Sequence, residues 1–271
     1  MKHMLTILLS ACMLLTMAGC AAKDTTGNYK LDRKRNEAVI QDVTVAENAE
    51  NTGLFYEIFV GSFSDSDGDG IGDLAGVTSR LDYLQALGIN GIWLMPIHPS
   101  TTYHKYNVSD YYAIDPAYGT MEDFDAFLAE CQKRDIHVIL DLVVNHSGSE
   151  HAWFKTATDY LRALGDGEPK VSECPYLDYY YFQKGSGNGY CNVTGTDWYY
   201  EGRFNYDMPD LNLASEALRQ EIADIMKFWL DKGVSGFRLD AAKEFYSGNP
   251  DQNKEVLSWL METARSIKPD A

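Results

Sequence analysis

The amino-acid sequence predicts an α/β fold, namely the first half of a (β/α)8 TIM barrel with a small domain inserted after the third strand. Four short apolar runs are each followed by a stretch whose apolar residues have helical spacing. Runs that are apolar on both faces are typical of parallel strands covered by helices on either side. Four such units are half of the eight that close a TIM barrel.

The predicted strands are short and end in turn-forming or polar residues. They cover residues 54–60, 91–96, 136–144 and 236–240. Pro96 ends the second strand, because proline has no amide hydrogen to donate to a neighbouring strand.

The predicted helices have amphipathic spacing and recognisable ends. They cover residues 77–87, 121–134, 216–232 and 251–267. Thr120 and Ser215 directly precede two of them and are typical N-cap residues, since a side-chain oxygen can accept a free amide of the first turn. Gly88 follows the first helix, where glycine is a common helix end.

The domain boundaries follow from changes in this pattern. Residues 147–206 are rich in Tyr, Gly and Asp and weakly periodic, and a structureless loop of that length is improbable within one domain. The chain ends where a fifth strand should begin, so we expect a longer protein. The segments are a signal peptide (1–19), a tether (20–52), barrel strands one to three (53–146), the insertion (147–206) and the strand-four region (207–271).

The composition excludes one class of partner. The chain has 271 residues, 45% of them hydrophobic, and a formal net charge of −17. Those values indicate a globular protein with a sizeable core. Binding to nucleic-acid phosphates requires clustered Lys and Arg, and the sequence contains no such cluster. We therefore expect no nucleic-acid partner, and the sequence does not predict an oligomeric state.

The first twenty residues have the features of an export signal. Lys2 precedes an apolar stretch, residues 4–17, that is too short to span a bilayer as a helix. The segment that ends in Cys20 resembles the lipidation signal of bacterial lipoproteins. That resemblance implies cleavage before Cys20, a lipid anchor on its thiol and an extracytoplasmic, membrane-attached location. The alternative is an ordinary secretory signal peptide cut nearby.

The other cysteines leave one question open. Cys131 lies in a predicted amphipathic helix and is interpreted as a small core residue. Cys174 and Cys191 both lie in the insertion. Outside the cytoplasm they could form a disulfide, but the sequence does not establish whether their Cα atoms are close enough.

The fourth predicted strand carries a charged pair. Arg238 and Asp240 are two residues apart, so their side chains lie on the same face of the strand. A carboxylate beside a permanent cation stays ionised, which suits a nucleophile or an electrostatic stabiliser rather than a general acid. Taken alone, such a pair is more often a structural ion pair.

Two further motifs accompany this pair in a fixed order. Residues 141–146 (Asp-Leu-Val-Val-Asn-His) end the third strand, and residues 208–212 (Met-Pro-Asp-Leu-Asn) lie between the third and fourth strands. With residues 236–240, these segments resemble the α-amylase family, glycoside hydrolase family 13, and the resemblance runs from about Gly53 to the last residue. The Met-Pro-Asp-Leu-Asn motif is similar to the group intermediate between oligo-1,6-glucosidases and neopullulanases.

The resemblance implies roles for several residues. Asp240 corresponds to the family nucleophile, which forms a covalent glycosyl-enzyme intermediate, and Arg238 accompanies it. Asp141 is expected to pair with Arg238. The resemblance also implies contacts with the sugar substrate for Tyr106, His146, Lys243 and Glu244. Residues 147–206 stand where the family carries its domain B.

The general acid of this family follows the fifth barrel strand, which these 271 residues do not include. We therefore expect that residues 1–271 alone do not hydrolyse starch. Glu244, four residues after the nucleophile position, is the alternative acid within the chain.

An acidic loop, residues 65–73, follows the first strand. Carboxylates at alternate positions, separated by glycines, are the oxygen ligands that Ca²⁺ prefers. The same pattern occurs after the first strand of oligo-1,6-glucosidase-like enzymes, and that resemblance implies a Ca²⁺ site. Its ligands would be Asp65, Asp67, Asp69, the Ile71 carbonyl and Asp73. The alternative is an acidic surface turn.

The sequence as a whole predicts a lipid-anchored hydrolase that acts on α-glucans such as starch and maltooligosaccharides. The alternatives are a neopullulanase or α-1,6-glucosidase, and a non-catalytic amylase-like protein that binds glucans at the cell surface.

Overall fold

The computed structural model describes residues 53–165 and 167–271. The predicted signal peptide, the tether and Cys20 lie outside these residues. Within the described part, no helix has both the length and the apolar character needed to cross a membrane.

The helices and strands follow one another in the alternation that the sequence predicts. The strands are β1 Phe55–Ile58, β2 Gly91–Leu94, β3 His137–Leu142, β4 Phe182–Lys184, β5 Tyr190–Asn192, β6 Trp198–Glu201 and β7 Gly236–Leu239. The α-helices are α1 Val60–Phe63, α2 Leu74–Thr78, α3 Leu81–Ala86, α4 Met121–Gln132, α5 Ala152–Leu164, α6 Glu216–Lys232 and α7 Pro250–Ile267. A 3₁₀ helix covers Pro175–Tyr179.

A four-stranded parallel sheet is the centre of the fold. Its strand order is β1-β2-β3-β7, and every neighbouring pair is parallel. Helical segments connect the strands, so all four carboxyl ends lie at the same edge of the sheet. This is the arrangement of the first four units of a (β/α)8 barrel, and the predicted fold class is confirmed.

The ends of the longer helices agree closely with the prediction. Thr120 caps α4 in a capping box with Asp123: the side chain of each residue accepts a hydrogen bond from the backbone amide of the other. Ser215 caps α6 by accepting the Leu218 amide. Gly233 ends α6 with φ 111°, a left-handed conformation that glycine adopts at little cost.

The predicted helix over residues 77–87 is wrong in its extent. The structure has two short helices there, α2 and α3, separated by Ser79 and Arg80. The Ser79 hydroxyl donates to the Gly76 carbonyl, and Arg80 leaves the helical conformation with φ −105° and ψ 2°. Asp73 caps α2, which therefore begins directly after the acidic loop.

The first strand is also shorter than predicted, since α1 begins at Val60. The Gly72 amide donates to the Gly61 carbonyl over 2.9 Å, which connects α1 to the end of the acidic loop.

The insertion contains structure that its weak periodicity did not predict. An antiparallel sheet of order β4-β6-β5 forms its centre. The thirteen-residue helix α5 precedes it, and the Phe154 ring packs against Tyr200 with ring centroids 4.7 Å apart. The expectation that this stretch is more than a loop is confirmed, but the absence of a clear helical signal was misleading for α5.

The cysteines are free thiols in the described part of the chain. Cys174 and Cys191 do not form a disulfide in this structure, which answers the question that the sequence left open. Cys131 is 1% exposed and belongs to the core, as predicted. Burial raises the pKa of its thiol to about 12.

Candidate active site

Three charged side chains meet at the carboxyl edge of the parallel sheet. The register pairs Asp141 on β3 with Arg238 on β7. Arg238 Nη1 lies 2.9 Å from Asp141 Oδ1 and 2.6 Å from Asp240 Oδ1. One guanidinium therefore bridges a buried carboxylate and a carboxylate at the strand end. The predicted pairing of Asp141 with Arg238 is confirmed.

Asp141 also organises neighbouring residues from two other segments. Its Oδ2 atom accepts hydrogen bonds from Trp93 Nε1 at 3.1 Å and from the Tyr106 hydroxyl at 3.0 Å. Burial raises the pKa of Asp141 to about 6, and the Arg238 guanidinium opposes that rise. At neutral pH the carboxylate is therefore ionised and accepts from three donors at once.

Trp93 packs against the Arg238 guanidinium. It was not among the predicted site residues. The guanidinium carbon of Arg238 lies 4.9 Å from the centre of the Trp93 ring, a cation–π distance. The signal that was available is the period of two along β2, which directs alternate side chains toward the same face. That period alone does not distinguish a supporting residue from an ordinary core residue.

A cavity of about 700 Å³ lies above these charges, which is within the usual range for small-molecule sites. All six residues that were predicted to act on or bind a sugar line it, namely Tyr106, His146, Arg238, Asp240, Lys243 and Glu244. His104, Phe204 and Met208 line it as well and were not predicted. His104 adjoins the predicted Tyr106 segment. Phe204 lies in the insertion, where no pattern identified it.

His146 presents an unused ring nitrogen. The residue is 2% exposed, and Nε2 has no hydrogen-bond partner among the described residues. Burial lowers the pKa of His146 to about 4, so the imidazole is neutral at pH 7. A buried polar atom without a partner is costly, so this nitrogen keeps an unused hydrogen-bonding capacity in a residue that lines the cavity.

The backbone after Asp240 is strained. Ala241 has φ 48°, the left-handed region that residues with a Cβ rarely adopt. The Asp240 amide donates to the Leu142 carbonyl over 3.2 Å, which ties the turn to β3. Strain of this kind is concentrated at functional sites.

Lys243 and Glu244 form the outer wall of the cavity. The Lys243 side chain is 90% exposed, and its Nζ lies 3.3 Å from Glu244 Oε1. Hydrogen bonds from Ser247 and Lys243 lower the pKa of Glu244. A general acid needs a raised pKa, so the structure does not favour Glu244 in that role.

The acidic loop brings together part of the predicted metal site. Carboxylate oxygens of Asp65, Asp67 and Asp73 lie within 4.8 Å of one another, close enough to share one cation. Asp69 is not in this group, and its Oδ1 accepts the Ile71 amide at 2.7 Å instead. The Ile71 carbonyl stays a prediction. Three carboxylates with little burial are hard oxygen donors and fit Ca²⁺.

The loop is also held by its own backbone. Both oxygens of Asp65 accept backbone amides, from Gly68 at 2.7 Å and from Gly70 at 2.9 Å. These bonds lower the pKa of Asp65. Asp73 accepts the Ser66 amide at 2.8 Å and the Gly76 amide at 2.6 Å. The backbone therefore orients the carboxylates of Asp65 and Asp73.

Comparison with known proteins gives a consistent family. Residues 57–268 match the family described as "Alpha amylase, catalytic domain". The chain is 46% identical over 224 residues to Alpha-amylase 3 of Dictyoglomus thermophilum, covering 80% of this chain and 42% of that protein. It is 41% identical over 201 residues to the oligo-1,6-glucosidase of Bacillus cereus, covering 69% of this chain and 34% of that protein.

Solved structures agree with this result. Amy13B of Eubacterium rectale is 54% identical and superposes with a TM-score of 0.79, covering 82% of this chain and 43% of that one. A trehalose-6-phosphate hydrolase from Bacillus licheniformis is 33% identical with a TM-score of 0.70, covering 79% of this chain and 42% of that one. The chain spans less than half the length of each of these four relatives.

Proposed function

Because this chain belongs to the α-amylase family of glycoside hydrolases, we propose that its protein cleaves α-glucans with retention of configuration at the anomeric carbon. The observation that carries the proposal is the position of Asp240. It lies at the end of β7, beside the Arg238 guanidinium, and lines a cavity that Tyr106 and His146 also line. Those are the features that a glycosidase nucleophile requires.

In the proposed reaction, a carboxylate oxygen of Asp240 attacks the anomeric carbon and the glycosidic bond breaks. A covalent glycosyl-enzyme forms, and water then hydrolyses it. Arg238 lies beside the carboxylate, and His146, whose Nε2 has no partner among the described residues, lines the cavity that the sugar would enter. The reaction also needs a second carboxyl about 5–5.5 Å from the nucleophile as acid and base. The family assigns that role to a glutamate after the fifth barrel strand.

Starch and maltooligosaccharides are the proposed substrates. The support is the similarity to Alpha-amylase 3 of Dictyoglomus thermophilum. A second candidate is α-1,6-glucosidase or neopullulanase activity, favoured by the 41% identity to an oligo-1,6-glucosidase and by the Met-Pro-Asp-Leu-Asn motif at residues 208–212. A non-catalytic glucan-binding surface protein is the third, although binding alone does not require the Arg238–Asp240 pair.

Two further features belong to the proposal. The acidic loop binds Ca²⁺ through Asp65, Asp67 and Asp73, whose carboxylate oxygens lie close together. Cys20 carries a lipid anchor that holds the protein outside the cytoplasm. Domain boundaries at residues 53, 147 and 207 describe the barrel and its inserted domain B.

The decisive experiment traps the covalent intermediate. The full-length protein is incubated with a fluorinated glucosyl fluoride, which slows breakdown of the glycosyl-enzyme, and is then digested for mass spectrometry. We expect the added sugar mass on the peptide that contains Asp240. Starch, pullulan and isomaltose are assayed in parallel for released reducing ends, which separates α-1,4 from α-1,6 cleavage. Cleavage of none of them, together with no label on Asp240, would contradict the proposed hydrolase.

The anchor is tested separately by Cys20→Ser. Two acyl chains suffice for stable membrane attachment, so the variant should move from the membrane fraction to the soluble fraction or accumulate unprocessed. Unchanged membrane partition would mean that Cys20 is not the anchor.

A further inference from the structure

Lys105 has two unusual properties. It lies between His104 and Tyr106, both of which line the candidate active site, but its own side chain turns away and the residue is only 8% exposed. Its φ angle is 62°, in the left-handed region that favours glycine. A lysine that is buried and strained at the same position costs free energy, so it needs compensating contacts.

Those contacts come from two residues of the same long connection. Lys105 Nζ lies 2.7 Å from Asp115 Oδ2 and 4.9 Å from the centre of the Tyr118 ring. The backbone fixes Asp115 in turn, because its Oδ1 accepts the Ala117 amide at 2.9 Å and its amide donates to the Ile97 carbonyl at 2.8 Å. We call Lys105, Asp115 and Tyr118 the Lys105 clamp.

Tyr118 connects the Lys105 clamp to the segment that follows β1. The Tyr118 carbonyl accepts the Leu74 amide at 2.9 Å. The Tyr118 hydroxyl lies so close to Gly61 that a Cβ atom added to Gly61 would be 3.0 Å from the hydroxyl oxygen. Tyr118 is 1% exposed. Gly61 and Leu74 stand on either side of the acidic loop, so the clamp is anchored on the segment that follows β1.

On the cavity side, the same turn orders the two site residues. The Lys105 amide donates to the Thr102 carbonyl at 3.2 Å, and the Tyr106 amide donates to His104 Nδ1 at 3.2 Å. Tyr106 then reaches Asp141 through its hydroxyl. Displacing the Lys105 backbone would therefore displace both His104 and Tyr106.

We propose that Lys105 is a positioning residue whose ion pair with Asp115 holds the turn that places His104 and Tyr106 against the substrate. The inference rests on the proposed function, since it assumes that a sugar binds in the cavity. It explains why a lysine occupies a left-handed position at which glycine would be less strained. The ammonium supplies a fixed contact that glycine lacks.

Two variants of the full-length protein separate charge from strain. Lys105→Met removes the ammonium and keeps a side chain at the strained φ. Lys105→Gly removes the ammonium and also relieves the strain. Displacements of about 1 Å at a site can cost about 10²-fold in rate, so we expect kcat/KM for maltohexaose to fall about 10–100-fold in both. If the backbone turn alone were sufficient, Lys105→Gly would match the wild type.

Lys232→Met is the matched control. Lys232 Nζ lies 2.9 Å from Asp125 and 5.6 Å from the centre of the Phe228 ring, so it combines the same kinds of contact. It belongs to the last turn of α6 and takes no part in the site. We expect kcat and KM to be unchanged in this variant.

Binding is measured beside turnover. In an Asp240→Ala background, which has no nucleophilic carboxylate, titration calorimetry with maltohexaose should show about tenfold weaker binding for Lys105→Met if His104 and Tyr106 contact the sugar. A lower melting temperature with unchanged kcat, KM and binding, assayed well below unfolding, would make Lys105 merely structural and overturn the inference.

A third result separates the two proposals. If the wild type cleaves maltohexaose and Tyr106→Ala is impaired while Lys105→Met and Lys105→Gly are not, the positioning role fails and the hydrolase stands. If the wild type neither binds nor cleaves α-glucans, the proposed function fails, and this inference fails with it.

Discussion

Aspartates serve opposite purposes in the acidic loop and in the charged centre, the group formed by Asp141, Arg238 and Asp240. Asp141 and Arg238 lie in the last two residues of β3 and β7, whereas the acidic loop follows β1 and α1. In the acidic loop, Asp65 is exposed and its two oxygens accept backbone amides, which lower its pKa. In the charged centre, Asp141 is 2% exposed. Its oxygens accept hydrogen bonds from the side chains of Trp93, Tyr106 and Arg238. Its pKa is raised to about 6 by burial.

The difference shows where each region is vulnerable. The acidic loop is mostly exposed to solvent, so removing one of its carboxylates leaves little that is both buried and unsatisfied. The carboxylates of the charged centre depend on Arg238, Trp93 and Tyr106, so removing one leaves a buried donor or charge without its partner. Substitutions in the charged centre should therefore have much larger effects than substitutions in the acidic loop.

The largest expected effect is at Asp240. Asp240→Asn and Asp240→Ala should lower kcat/KM on α-glucans by at least about 10⁴-fold, because losing a nucleophile removes the covalent route. Two variants are needed, since an asparagine can revert by deamidation. Steady-state kinetics of purified protein test this, with melting temperature as the folding control. More than about 1% residual activity in Asp240→Ala would exclude Asp240 as the nucleophile.

Asp141→Asn should have the next largest effect. Its amide oxygen could still accept from Trp93 and Tyr106, but the Arg238 guanidinium would keep one carboxylate instead of two. Misplaced Arg238 and Tyr106 should lower kcat/KM about 10²-fold. Circular dichroism provides the folding control. Kinetics like those of the wild type would show that Asp240 does not depend on this network.

The pH dependence of activity should report the same carboxylate. With a pKa of about 6, Asp141 is protonated at lower pH and loses its ion pair with Arg238. We expect kcat/KM to be about tenfold lower at pH 5 than at pH 7 on this account. His146, with a pKa of about 4, stays neutral throughout that window.

Asp141→Asn cannot titrate at that position, so its profile should be flatter between pH 5 and pH 7. Parallel profiles in the variant and the wild type would assign the acid limb to another group.

The acidic loop should show the smallest effect, and it should be on stability. An ion that binds only the folded state stabilises it by mass action, by about 1 kcal/mol when free Ca²⁺ is about five times its Kd. Chelation should therefore lower the melting temperature of the wild type by roughly 2–4 °C.

Asp67 and Asp69 form the matched pair for this test. Asp67 belongs to the oxygen group and Asp69 does not. Asp67→Asn should remove the response to chelator, and Asp69→Asn should keep it. An equal change in melting temperature on chelation in the two variants would show that Asp65, Asp67 and Asp73 are not the set of carboxylates that binds the metal. No response in the wild type would identify the loop as an acidic turn.

Much of this molecule follows from local sequence pattern. The apolar runs of the four parallel strands, the helical spacing of α6 and the caps at Thr120 and Ser215 depend on neighbouring residues only, so the sequence by itself determined them. The position of Asp240 at a strand end, two residues after Arg238, is likewise local. The resemblance to the family added proposed roles for Tyr106 and His146, and the structure shows that both residues line the cavity.

Only the tertiary structure decided which distant groups meet. The Trp93, Tyr106 and Arg238 donors converge on Asp141 from three separate segments, and Phe204 reaches the cavity from the insertion. The same holds for Lys105, which reads as an exposed loop residue until Asp115 and Tyr118 are seen around its ammonium. Burial and partners depend on packing across the whole sheet, and no local pattern encodes them.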